Sequence, residues 1–465
     1  MLHPLLNMTD RQYTAEIVGV VPAHIFCFEV HTTSRLKSQR SAAMHLSWTT
    51  IFTLVVSAQG QHVRQRQALS FDSFGSFWSL PTTVTPPTAS ERLLQAYGIQ
   101  ANETYQQDAI AWLESTYYEP LSDARLVQQY ALACIHEATD AIANPYTKAI
   151  MGDFVLPWLH GDWLQDSNEC GWKGVTCNSD GWVIELDLGS ALLTGTFPSE
   201  IVWLKDTLTL LDLHGNYCLN QGSENDFLGE LVNLESLFLQ DTPFWNNGIP
   251  SGIGKLTKLV GLDLSYTLYF GAWDGNLFAN MNQLEYLVLS GLDVNGPLPT
   301  ELVTLPSLKY FYAQYSGLTG DLSWLPSMTS AVEVWIDDNP GFAGSSLPAN
   351  LDAMAQLQSF SATGCGLSGS MPTSLGNLSM MKQMWLSSNN LNGVIPSTIG
   401  DLDSLVTFQV QGNVLTGAMP DEVCDNVYPQ GLVRRLVADC DGEMECPCCT
   451  CCGENCSIVA PSRRM

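Results

Sequence analysis

The chain has 465 residues, and 45% of them are hydrophobic, so it can bury a sizeable core and is not a mainly disordered chain. It carries 19 basic and 47 acidic residues, which gives a net charge of −28. Such a chain repels phosphate backbones and anionic lipid, so nucleic acid is excluded as an expected ligand and a cationic, neutral or carbohydrate partner is favoured.

The first segment with a recognisable pattern is the uncharged window from Ser41 to Val63. Its apolar centre follows Met44 and ends at Ala58 in a small-residue cleavage pattern, which favours a signal peptide over residues 44–58. Translation from Met44 would make residues 1–43 a gene-model extension. The alternatives are a signal anchor with 1–43 as its cytosolic tail, and a buried strand or disordered leader. No apolar run reaches the 18 residues that a spanning helix requires.

Residues 59–90 are rich in Ser, Thr and Pro, a composition typical of a linker. A helical lead-in is predicted over 91–160, because apolar residues recur there at spacings of three and four. Ser122 is placed to cap its second apolar stripe, which includes Cys134 as an inert buried residue. His136 has no partner at a metal-ligand spacing.

A repeat begins at residue 183 and runs to 423. Ten units align on the first apolar residue of a Leu-x-Leu pair, at steps of 23 to 26 residues: Leu186, Leu211, Leu237, Leu262, Leu287, Phe311, Val334, Phe360, Met384 and Phe408. This period and the Leu-x-x-Leu-x-Leu-x-x-Asn/Cys-x-Leu pattern predict a right-handed α/β leucine-rich repeat solenoid with one concave parallel sheet. We number the repeats one to ten from these anchor residues.

The unit from Leu378 to Leu402 shows what each position does. Its Asn389 is expected to turn inward and satisfy backbone groups at a bend. The same position holds Asn216, Asn339, Asn413 and, in repeat eight, Cys365. Cys218 and Cys365 are expected to be free thiols.

An N-terminal cap is predicted over 161–182, where Cys170 and Cys177 bracket Trp172 at a spacing that suits one local disulfide. With this cap and its Gly-x-Ile-Pro repeats, the chain resembles plant-type leucine-rich repeat proteins, and its helical lead-in and tail are similar to those of diatom repeat proteins. The resemblance covers roughly residues 105–456. Phe244–Ile249 and Tyr269–Phe278 depart from the Gly-x-Ile-Pro pattern.

This resemblance implies an ectodomain of a receptor-like kinase, a receptor-like protein, or an inhibitor of secreted enzymes. The chain ends 42 residues after Val423 without a phosphate-cradling loop, so a kinase is not expected. A secreted or N-terminally anchored cell-surface protein is therefore expected, and an outside co-receptor is a possible partner. Sequons at Asn7, Asn102, Asn377 and Asn455 fit an extracellular glycoprotein.

Residues that flank the anchors point outward on a parallel strand, so they form columns on the concave face. These columns predict a ligand-binding strip of aromatic and acidic residues, with Tyr266 and Tyr315 at its edge: Phe238, Tyr286, Tyr310, Tyr312, Trp335, Trp385, Asp263 and Asp337. The alternative interpretation is that these aromatic residues only pack sideways along the sheet.

A cysteine-rich cap and tail is predicted over 424–465, where six of the 14 cysteines lie between Cys446 and Cys456. Such density indicates an oxidising compartment or a metal site. We expect Cys424 to pair with Cys440 and close the last repeat, with the other six forming three disulfides of undetermined connectivity. A zinc or copper thiolate cluster is the alternative.

No catalytic motif or cofactor fingerprint appears, so the chain is predicted to be neither an enzyme nor a cofactor-binding protein. Three hypotheses remain. The first is an extracellular recognition module that binds a protein, peptide or glycan on its concave face. The second is a secreted inhibitor of a hydrolase, and the third is a structural wall or coat protein crosslinked through its cysteine tail.

Overall fold

The computed structural model describes residues 86–116, 121–139, 163–165, 168–220, 225–271, 276–440 and 444–452. The predicted signal segment 44–58, the extension 1–43 and nearly all of the linker 59–90 lie outside these residues. In the part of the chain that the structure describes, no helix combines the length and apolarity needed to cross a bilayer.

The lead-in consists of three helices: α1 (Ala89–Tyr97), α2 (Thr104–Thr116) and α3 (Asp123–Thr139). α1 begins inside the predicted linker, because Thr88 and Glu91 form a capping box that fixes its start. The Ser122 hydroxyl accepts from the Arg125 backbone at 3.2 Å, which confirms it as the cap of α3. Cys134 is a buried free thiol, as predicted.

α3 joins the lead-in to the solenoid, because its two faces belong to different cores. Leu126, Tyr130 and Cys134 pack with α1 and α2, whereas Leu132 and Ile135 join the continuous core of the repeats. Gln128 and Gln129 are also buried, and each donates a 2.6 Å hydrogen bond to a carboxylate oxygen of Glu169 in the N-terminal cap. The helix therefore closes the first end of the solenoid together with that cap.

The repeats form the predicted concave sheet, whose strands after the first hairpin run parallel. All ten anchors are buried in the predicted register. In chain order the strands are Val175–Cys177, Val183–Asp187, Leu210–Asp212, Ser236–Phe238, Gly261–Asp263, Tyr286–Val288, Tyr310–Tyr312, Glu333–Trp335, Ser359–Ser361, Gln383–Trp385, Thr407–Gln409, Arg435–Ala438 and Cys451–Cys452.

The sheet continues into the predicted cysteine-rich cap. Arg435–Ala438 pairs in parallel with the strand of repeat ten and buries Leu436 as an eleventh anchor. Cys451–Cys452 then adds the last strand. This extra repeat escaped the sequence analysis because its anchor lies 28 residues after Phe408, outside the regular steps.

Shorter elements complete each turn on the other sides of the solenoid. Parallel strands after the bend are Thr194–Thr196, Cys218–Asn220, Trp245–Asn247, Leu268–Phe270, Ser368–Ser370, Asn390–Gly393, Val414–Leu415, Gly417–Ala418 and Met444–Glu445. The convex side carries α4 (Thr300–Val303), α5 (Asp421–Asp425) and single 3₁₀ turns such as Ser397–Asp401.

The predicted asparagine ladder is confirmed. Asn389 donates through Nδ2 to the carbonyl oxygens of Leu386 (3.0 Å) and of Ala362 in the preceding repeat (2.8 Å). Its Oδ1 accepts from the backbone of Cys365 and Leu367 in that same preceding repeat. Each ladder asparagine thus fastens one repeat to the next and satisfies backbone groups that the bend would leave unpaired.

Candidate functional site

Three tyrosines cluster on the concave face of repeats five and six. Tyr286 and Tyr310 pair across adjacent strands and stack with ring centroids 4.2 Å apart and planes 10° from parallel. Tyr312 lies beside them and donates through its hydroxyl to Glu333 at 2.8 Å. All three rings are partly exposed, and burial together with the Tyr310 hydroxyl raises the pKa of Tyr286. We call Tyr286, Tyr310 and Tyr312 the strand tyrosines.

The two predicted tryptophans are not an exposed surface. Trp335 and Trp385 are 5% and 3% exposed. Trp335 packs against Tyr312 at 4.7 Å and donates through Nε1 to the Ser359 hydroxyl at 2.8 Å. For these two residues the sideways-packing interpretation holds, since each ring lies along the sheet over the next repeat. Phe238, two repeats before the strand tyrosines, is partly exposed.

The two predicted acidic residues are buried as well. Asp263 and Asp337 are 6% and 9% exposed, and their Oδ1 atoms accept hydrogen bonds from Ser265 and from Ser361 and Thr363, respectively. Burial is the largest effect on each carboxyl group and raises its pKa to about 6, while the hydrogen bonds act in the opposite direction. A carboxylate so enclosed offers a ligand little direct contact.

The largest exposed aromatic rings of the concave edge lie where each strand bends toward the ladder. Four residues after each anchor, the backbone has a left-handed φ between 53° and 75° in every repeat. We call this column the bend row: Ser190, Gly215, Asp241, Tyr266, Gly291, Tyr315, Asp338, Gly364, Ser388 and Gly412. Tyr266 and Tyr315 in this row are 54% and 60% exposed, although the sequence analysis gave them only an edge position.

Side chains of the bend row lean onto the following repeat. A Cβ atom placed on Gly291 would lie 2.5 Å from Cδ1 of Tyr266, and one on Gly364 would lie 2.5 Å from Oδ1 of Asp338. Tyr315 hydrogen-bonds to Asp338, which raises the pKa of the phenol to about 12. Glycine is therefore required at these positions for space as well as for its positive φ.

The cysteine pairing of the C-terminal cap differs from the predicted one. Cys170–Cys177 forms as expected, but Cys424 pairs with Cys448 and Cys440 pairs with Cys452. The extra repeat explains this result. Cys424 lies in convex-side α5, whereas Cys440 follows the concave strand Arg435–Ala438, whose Ala438 pairs with Cys452.

Two further cysteine predictions have different outcomes. Cys365 is a buried free thiol, whereas Cys218 is disulfide-bonded and not free. Cys440, Cys446 and Cys449 bring their sulfur atoms within 4.8 Å of one another, the spacing of a metal group. They are engaged in the Cys440–Cys452 and Cys446–Cys449 disulfides, which gives no support to the thiolate-cluster alternative.

Comparisons with known proteins agree with this architecture. The family model described as Leucine Rich Repeat matches residues 380–402. The Arabidopsis thaliana protein Serine/threonine-protein kinase BRI1-like 1 is 28% identical over 169 residues, 35% of this chain and 14% of that protein. Receptor-like protein 6 of the same plant is 26% identical over 198 residues, 39% of this chain and 19% of that protein.

A solved structure gives the same result. The ectodomain of the Arabidopsis thaliana membrane receptor kinase GASSHO1/SCHENGEN3, in complex with CASPARIAN STRIP INTEGRITY FACTOR 2, is 27% identical. It superposes with a TM-score of 0.50 over 58% of this chain and 32% of that chain. The match to the first curated relative covers only about a seventh of that relative's length.

The fold is thus a leucine-rich repeat solenoid, a scaffold that presents an extended surface and is typical of binding modules. Within that class, the chain is a plant-type leucine-rich repeat protein, similar to the ectodomains of receptor-like proteins and receptor kinases.

Proposed function

We propose that this chain is a non-catalytic, extracellular recognition module of the receptor-like type. It binds a protein, peptide or glycan on the concave face of its middle repeats. The observation that carries this proposal is the cluster of tyrosines in repeats four to six. The strand tyrosines lie on the sheet, and Tyr266 and Tyr315, which are more than half exposed, lie at its edge.

Tyrosine suits recognition because its ring has a large apolar face, its hydroxyl forms hydrogen bonds, and few torsions are lost on binding. The stacked pair Tyr286–Tyr310 is preorganised, which lowers the entropy cost of ordering an interface. The ectodomain of the similar receptor kinase was solved in complex with another factor, which supports a binding role for this scaffold.

Several observations support an extracellular location. Four disulfides close the two caps, and such bonds persist in oxidising compartments. The sequon residues Asn102 and Asn377 are exposed, as glycan attachment requires. A signal peptide or signal anchor over 44–58 completes the proposal, and a co-receptor is the partner expected to transmit a signal.

The test uses the secreted full chain on a peptide and glycan array. Tyr310→Ala removes half of the stacked pair, and Tyr428→Ala removes a tyrosine that is 67% exposed in the C-terminal cap as a matched control. We expect the first variant to lose the captured ligands and the second to retain them, with equal melting temperatures. Retention of every ligand by Tyr310→Ala would refute the concave site.

A further inference from the structure

The middle of the bend row has a nearly symmetrical composition. From repeat three to repeat seven it reads Asp241, Tyr266, Gly291, Tyr315 and Asp338. The two tyrosines are exposed, and the ring of Tyr266 lies across the glycine of repeat five. Tyr315 reaches the carboxylate of Asp338. An aromatic surface therefore runs across the central repeats with an acidic residue at each end.

The backbone of these positions is one that tyrosine rarely adopts. Left-handed φ values of 54° and 55° at Tyr266 and Tyr315 cost about 1–2 kcal/mol each for a residue with a Cβ atom. Four other repeats place glycine in the bend row and avoid this cost. The fold itself therefore does not require a tyrosine at either position.

The charge around the tyrosines has one sign. No lysine or arginine occurs in the bend row from 241 to 338 or immediately beside it, at residues 240–242, 265–267, 290–292, 314–316 and 337–339. Lys309, on the strand-tyrosine side, is paired with Glu285 at 2.8 Å. A cation placed over an exposed tyrosine face gains a cation–π attraction, and an adjacent carboxylate adds a charge-assisted hydrogen bond.

We infer that this part of the bend row is a recognition site for the arginine or lysine side chains of a basic peptide. This inference rests on the proposed function and assigns the chemistry of its ligand. A neutral glycan has no use for the flanking carboxylates, and an anionic ligand is repelled by them. Strands of a sheet lie about 4.8 Å apart, so the five positions span about 19 Å, the length of roughly six residues of extended peptide.

The probe is hexaarginine, and hexacitrulline serves as its isosteric neutral control. Calorimetric titration of the full chain should detect hexaarginine and not hexacitrulline. Tyr266→Asn and Tyr315→Asn remove the rings while keeping a residue that tolerates the left-handed backbone, so these variants are expected to fold. We expect each to weaken hexaarginine binding by about fivefold, and Asp241→Asn combined with Asp338→Asn to weaken it by about tenfold.

Matched variants separate a defined site from the general acidity of the chain. Asp401→Asn combined with Asp403→Asn removes two exposed carboxylates from the convex side and should change the affinity less than twofold. Equal losses in the two double aspartate variants would overturn the inference, because they would show diffuse attraction to a chain of charge −28. Unchanged affinity in both tyrosine variants would overturn it as well.

The failures of the two proposals are distinguishable. If Tyr310→Ala abolishes ligand capture while the bend-row variants leave hexaarginine binding intact, the recognition function stands and its cationic ligand is refuted. If Tyr310→Ala changes nothing while the bend-row variants lose hexaarginine, the strand tyrosines are refuted as the site and the cation-binding row stands.

Discussion

Repeats seven to ten and repeats three to five use different chemistry at the same ladder position. In the later group this position holds Asn339, Cys365, Asn389 and Asn413, and each asparagine bonds to backbone groups of its own and of the preceding repeat. In the earlier group it holds Thr242, Thr267 and Leu292. The two threonine hydroxyls donate only to carbonyls within their own repeats, at 2.5 and 2.7 Å.

The difference places function and regularity in different parts of the array. The regular repeats are fastened to one another by the ladder and bury their concave tryptophans. The irregular repeats and their neighbour, repeat six, carry the strand tyrosines and the exposed bend-row tyrosines. A surface that departs from the repeat consensus is where a repeat protein is expected to carry its specificity, since the consensus itself serves stacking.

The largest expected effect comes from removing a ladder asparagine. Asn389→Ala leaves backbone groups of Ala362, Cys365, Leu367 and Leu386 without their partner, and should lower the free energy of unfolding by about 4 kcal/mol. Thr242→Val, in the irregular group, removes one hydrogen bond within its repeat and should cost only about 1 kcal/mol. Urea denaturation monitored by tryptophan fluorescence measures both; equal costs would contradict the contrast.

The second expected effect compares one buried aspartate from each group by pH. The pKa of Asp263 and of Asp337 is about 6 in the folded chain and 3.8 as the ordinary value, so the folded state binds protons more tightly. The associated stability is fully present below pH 4 and is lost as the pH rises through 6. Each shift corresponds to about 2–3 kcal/mol at pH 7.

Asp263→Asn and Asp337→Asn test this dependence without loss of the hydrogen bonds, because the recorded bonds end on a single oxygen, Oδ1, which an amide also provides. Each variant should be more stable than the natural chain at pH 7 by about 2 kcal/mol and equally stable at pH 4. Urea titrations at pH 4, 5, 6 and 7 provide the comparison. A variant less stable at pH 7 would show that the carboxylate is favourable when ionised.

The smallest expected effect concerns the packing of the bend row. Gly291→Ala places a methyl group against the ring of Tyr266, whereas Gly344→Ala, at φ 84°, meets nothing within 4 Å and reports the backbone cost alone. We expect about 2 kcal/mol for the first and about 1 kcal/mol for the second. In a Tyr266→Asn background the excess should vanish, and its persistence would mean that the ring does not occupy the space over Gly291.

The repeat period predicted the fold closely, because each anchor must be buried and a fixed step leaves one way to stack the units. It placed Leu186 to Phe408 on one sheet and Asn389 at the bend, both of which the structure confirms. It failed at the C-terminal cap, where a step of 28 residues hid the eleventh strand and led to the wrong partner for Cys424.

The candidate site was only partly predictable. The alternation of side chains along a strand identifies which residues leave the core, and so the sequence found Tyr286, Tyr310 and Tyr312. Alternation does not say how a large ring leans once it is outside. The structure alone shows that Trp335 and Trp385 lie down along the sheet and become buried, whereas Tyr266 and Tyr315 stay exposed.

By itself, the sequence determined the solenoid, its register, its inward asparagines and the Cys170–Cys177 cap, because these follow from local periodicity and short spacing. Only the tertiary structure decided the burial of Asp263 and Asp337, the docking of α3 through Glu169 and the left-handed bend row. The physical reason is that these features depend on what a neighbouring repeat or helix places over a residue, and no spacing along the chain encodes that contact.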